Sequence, residues 1–176
     1  MNNNILRFSE EKFMEHILET RFDNSDIIKK TIFSLITVAT PKTSDEYAWS
    51  CIKNLLIELR DKYPFLKYIK IGNIENIDYE IDDINVTTEI NRVDPFELGR
   101  AIQEIIDLLK KRLGNKAGYF FLEEFKHVLG EKYYSIIKNM GVDLRLIELK
   151  NKLYGFDTEY RIKDRSDTNI AFLEKK

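Results

Sequence analysis

Glu124-Phe125-Lys126-His127 sets a glutamate and a histidine three positions apart, the spacing that puts paired ligands on one side of a helix in carboxylate-bridged metal sites. Such a centre takes the motif twice, with further glutamates, and the other histidine, His16, has Phe13 three positions before it. On a helical projection His127 falls opposite Phe121 and Phe125, so a solvated ion pair is the simpler expectation for Glu124 and His127. Asp78, Glu80, Asp82 and Asp83 form a row of carboxylates on the outer face of an expected strand. Hard oxygen donors of this kind suit magnesium or calcium, although the glycine-centred spacing of a calcium loop is missing. Acidic residues on a solvated strand also discourage edge pairing, which accounts for the same row. Thr40 to Ser44 places Lys42 and several hydroxyls before a helix start, where backbone amides hold anions. Pro41 stands where a phosphate cradle uses glycine, Asp45-Glu46 repels an anion, and helix capping explains the segment.

Glu148-Leu149-Lys150 lies in an apolar run with a strand-like pattern, so that Glu148 and Lys150 would point to one side. This Glu-x-Lys pattern resembles the last signature of metal-dependent nucleases of the restriction-endonuclease type. The resemblance implies that Glu148 helps to hold magnesium and that Lys150 stabilises the attacking water or the developing charge. That family also carries an aspartate on a preceding paired strand. Asp143 would lie on the same strand and the opposite face, and Asp94 is occupied as a helix cap. A salt bridge at a strand edge accounts for the same residues.

Dinucleotide-binding glycines, a phosphate-binding loop and a nucleophile elbow are all absent from the sequence, and no cofactor is expected. The lone Cys51 falls on an apolar helical stripe, where a thiol behaves as a small hydrophobe. With 28 basic and 30 acidic side chains the formal net charge is -2, so no global positive field draws a polyanion and nucleic acid is disfavoured as a partner. The uncharged run from Thr31 to Pro41 falls well short of the ~20 apolar residues that span a bilayer. Residues 1–30 lack the pattern of a secretory signal, and a cytoplasmic location without membrane association is the expectation.

These residues need elements to position them. A length of 176 residues suits one domain, here 1–176 with a frayed start over residues 1–8. Ser9 caps a first helix bearing Phe13, Met14, Ile17 and Leu18. Ile28, Ile32, Leu35, Ile36 and Ala39 then share a helical face, although the branched residues between Thr31 and Thr40 also suit a buried strand. Helix is preferred there. Thr43 and Glu46 form a capping box ahead of a helix burying Ala48, Cys51, Ile52, Leu55, Leu56 and Leu59. After Pro64 the period shifts to alternation, giving strands over Phe65 to Ile71, Ile77 to Ile81 and Val86 to Ile90. Asp94-Pro95 opens, and Gly114 closes, a helix with Leu98, Ala101, Ile102, Ile105, Ile106, Leu109 and Leu113 on one face. Two further helices, closed by Gly130 and Gly141, complete a central three-helix block from Asp94 to Gly141. Val142 to Leu149, Phe156 to Ile162 and Ile170 to Leu173 read as C-terminal strands. The predicted architecture is α+β: N-terminal helices, a mostly antiparallel sheet, the three-helix block and C-terminal strands in one compact domain.

Apolar residues left outside these stripes suggest a contact surface. Phe120 projects from the polar side of its helix, Ile57 opposite the buried stripe of its own, and Trp49 at that stripe's edge. Aromatic side chains dominate interface energetics, and a symmetric dimer is a common way to cover them. The leading expectation is therefore a non-catalytic, cytoplasmic interaction or regulatory module, a homodimer acting through protein contacts with itself or another protein. A small-molecule sensor whose pocket is lined by Tyr119, Phe120, Phe121, Phe125, Tyr133 and Tyr134 is one alternative. A metal-dependent nuclease-like enzyme using Glu148 and Lys150 is the other.

Overall fold

Branched side chains between Thr31 and Thr40 favour a strand locally, yet residues Asn24–Ala39 form a 16-residue helix, α1, in the computed structural model. The structure describes residues 22–72, 80–118, 120–147 and 149. Burial decides the conformation of α1. Ile28, Ile32, Leu35 and Ala39 are joined in the interior by Ile27, Thr31, Ser34 and Val38, so the helix is covered on nearly every side. The hydroxyls of Thr31 and Ser34 donate to the carbonyls of Ile27 and Lys30 four residues back, at 2.7 and 2.8 Å. A buried helix can thus carry polar side chains without leaving a donor unpaired. Its start is tied to a distant turn, with the Asn24 amide donating to the Val93 carbonyl at 2.8 Å and the Ser25 N–H to Asn91 Oδ1 at 2.8 Å.

A short 3-10 turn, Thr40–Lys42, leads to helix α2, Asp45–Glu58. The cap of α2 is Ser44 and not the expected Thr43. Ser44 has the extended backbone of a cap and its hydroxyl accepts from the Tyr47 N–H at 3.2 Å. The Thr43 hydroxyl instead donates to the Ala39 carbonyl at 2.9 Å, closing the turn behind α1.

Three helices follow: α3, Pro95–Leu113; α4, Phe121–Leu129; and α5, Glu131–Asn139. Asp94 caps α3 as its sequence predicts, accepting from the Phe96 and Glu97 N–H groups at 3.0 and 3.1 Å, and Gly114 ends it at φ 54°. Their main packing partners lie outside the three. Helix α3 packs on α1 and α2, while α4 and α5 pack on each other and on α1, so α1 is the shared partner. One close approach joins α3 to the end of α5: a Cβ on Gly99 would stand 1.9 Å from the Met140 carbonyl oxygen.

Sheet structure among the described residues is small. Strand β1, Ile69–Ile71, pairs antiparallel with β2, Ile84–Val86, in the register Ile69 with Val86, Lys70 with Asn85 and Ile71 with Ile84. Much of the expected antiparallel sheet between Phe65 and Ile90 is 3-10 helix: Pro64–Tyr68, Ile81–Asp83 and Thr88–Arg92. Pro64 presets the first of these, and Glu80 and Asp83 cap the second reciprocally, each side chain accepting from the other's backbone N–H. Ile77 to Tyr79 lie outside the described residues.

The expected strand over Val142 to Leu149 is also corrected, because residues 144–147 are helical. Asp143 Oδ1 accepts from the Arg145 and Leu146 N–H groups at 2.9 and 3.2 Å, a helix cap, and Leu144 and Ile147, three apart, are buried. The frayed start, the helix after Ser9 and the strands over Phe156 to Ile162 and Ile170 to Leu173 lie outside the described residues. The described chain is therefore mostly helical with one small antiparallel sheet, an α+β arrangement, and its buried side chains form a single hydrophobic core.

Candidate functional site

A polar cluster lies along the seam between α2 and α3, where apolar stripes meet and charged residues line the rim. Glu104, on α3, gathers two donors from the chain leaving α2. Lys62 Nζ lies 2.6 Å and the Tyr63 hydroxyl 2.9 Å from the same carboxylate oxygen, Oε2. One turn further along α3, Lys111 pairs with Asp107 at 2.8 Å, and beyond it Arg112 pairs with Glu58 of α2. The pairing runs antiparallel, from Glu58 with Arg112 to Lys62 with Glu104, as two adjacent helices in a hairpin-like arrangement require.

Proton affinities follow from this geometry. Partial burial would raise the Glu104 carboxyl, but hydrogen bonds from Lys62 and Tyr63 and the nearby cations outweigh it and hold the group below its ordinary value. The hydrogen bond to Glu104 raises the Lys62 ammonium. Burial, followed by the contact with Glu104, raises the Tyr63 phenol. Each shift favours the protonation state that the group already has at neutral pH. General acid–base chemistry needs a group poised near the working pH, and these three are driven away from it. What the cluster does well is fasten the end of α2 to α3. Cys51, beside Arg112 on the same seam, is buried, and burial raises its thiol more than the guanidinium lowers it. A protonated, enclosed thiol is a poor nucleophile.

The residues singled out by spacing do not converge. Glu124 is 2.7 Å from Lys42, an ion pair that ties α4 to the turn after α1, while His127 is exposed on the solvent side. Asp82 pairs with Lys29 at 3.0 Å, and Glu80 is engaged with Asp83, whose Oδ2 accepts from the Glu80 N–H at 2.8 Å. Asp78 lies outside the described residues. No group of three His, Cys, Asp or Glu side chains among the described residues is placed to hold a metal ion. Glu148 and Lys150 also lie outside them, and the residues just before Glu148 are helical where the nuclease reading needs a strand.

Of the three interface candidates, Trp49 is corrected: it is only 2% exposed and sits in the core. Its edge position on α2 is therefore part of the single hydrophobic core. Phe120 is 72% and Ile57 50% exposed. Phe121 and Phe125, expected around a ligand pocket in the sensor reading, are fully buried core side chains. Tyr133 meets Phe22 in a tilted ring contact with centroids 4.9 Å apart and planes at 51°, and Lys126 Nζ stands 4.9 Å over the Tyr134 ring. Tyr119 lies outside the described residues.

Other contacts carry no signal in the sequence. Gln103 grips the main chain of Asp143 from both sides, accepting from its N–H at 2.6 Å and donating to its carbonyl at 3.3 Å. Glu104 and Lys62 are unremarkable members of polar helix and loop surfaces until α2 and α3 are laid side by side. Among the described residues no helix is long and apolar enough to cross a membrane. Comparison of the chain with family models, with curated proteins and with solved structures finds no match to any of them.

Proposed function

We propose that the protein is a non-catalytic interaction module that acts through protein contacts, as a homodimer, with Phe120 and Ile57 as contact residues. The observation that carries this reading is Phe120. At 72% exposure it stands outside the core, and its side chain makes no cap for the helix it precedes. A large aromatic that stands mostly exposed, outside the core of the described residues, suits a hot spot in a contact. The use of the charged groups also supports the reading. Glu104, Lys62, Glu124, Lys42, Asp82 and Lys29 are engaged in pairs that join one element to another.

Light scattering coupled to size exclusion tests it, comparing the wild-type protein with Phe120→Glu and Ile57→Glu. The wild type is expected to give the mass of a dimer. Phe120→Glu is expected to weaken association by about 30-fold or more, the effect of losing a hot spot worth ~2 kcal/mol. Thermal unfolding of the isolated protomer should move little, since the side chain is exposed. A wild-type monomer at all concentrations, or an undiminished dimer in both variants, would overturn the proposal.

A further inference from the structure

We draw no further inference here: the strongest candidate, the apolar surface patch at Phe96, where the start of α3 meets Gly141, carries nothing because nothing in the structure shows what covers it.

Discussion

Gly99→Ala adds one methyl group to the middle of a helix, a change that ordinarily stabilises by about 1 kcal/mol through chain entropy. Here the opposite is expected. The new Cβ would stand 1.9 Å from the Met140 carbonyl oxygen and 2.7 Å from its carbonyl carbon, against an ordinary contact of 3.4 Å or more. Relief requires a separation of 1.5 Å (3.4 minus 1.9) between α3 and the end of α5. Both obstacles are main chain, so no rotamer change supplies it. Overpacking of this kind costs about 1–3 kcal/mol. The same displacement pulls Gln103, one turn along α3, away from Asp143, threatening hydrogen bonds of 2.6 and 3.3 Å. Those are worth about 1 kcal/mol each. Setting the entropic gain against these losses leaves a net destabilisation of roughly 2–4 kcal/mol. Urea unfolding followed by circular dichroism measures it, with Gln103→Ala and the double variant completing a cycle. If Gly99→Ala already breaks the Gln103 contact, Gln103→Ala should cost less in its presence than alone. A Gly99→Ala protein as stable as wild type, or more so, would show that α3 and Met140 do not meet as described.

Glu104→Gln should cost about 0.5–1 kcal/mol, the scale of a partly exposed ion pair, and should alter the acid limb of the stability curve. Because the folded-state pKa of Glu104 is depressed, its contribution is present above the ordinary carboxyl value of 4.5 and is lost as pH falls through the folded value; an acid limb unchanged by the substitution would refute its role. Tyr63 has the opposite sign: its raised phenol contributes below pH 10.0, and that contribution fades as pH climbs through the folded value, so Tyr63→Phe should flatten the alkaline limb. Trp49, the single tryptophan, should resist fluorescence quenching by iodide until the protein unfolds, and Trp49→Ala should lose about 3–5 kcal/mol; ready quenching in the native state would place the indole on the surface after all. Cys51 should react with a thiol reagent slowly in the native protein and rapidly in urea, and equal rates would contradict its burial beside Arg112.

The proposed contact role draws on how the aromatics and charges are used. A pocket for a small ligand keeps apolar walls and a few polar groups uncommitted. Here Phe121 and Phe125 are spent on the core, and half-buried Tyr133 and Tyr134 are in contact with Phe22 and Lys126. Phe120 and Ile57 are among the exposed apolar side chains, with Phe96, whose burial a partner could gain.

Features governed by neighbouring residues were legible without any structure. Asp94, Pro95 and Gly114 bound α3 because capping and backbone preference act within a turn of the chain, and the buried face of α3 follows from the spacing of Leu98, Ile102, Ile105, Ile106 and Leu109. The exposure of His127 likewise follows from its angle to Phe121 and Phe125 on one helix. Where two local preferences compete, tertiary structure decided. Thr31 to Ala39 could alternate as a strand or wind as a helix, and burial of α1 against its neighbours on nearly every side selected the helix. Alternating Val142, Leu144 and Leu146 imitated a strand, but the Asp143 cap and the burial of Leu144 with Ile147 imposed helical spacing. Trp49 changed from surface to core; Gly99 became irreplaceable, and Lys62, Tyr63 and Glu104 became one cluster, through contact with residues about 40 positions away. Helical periodicity and capping are properties of a few consecutive residues; which surfaces meet is a property of the whole folded chain.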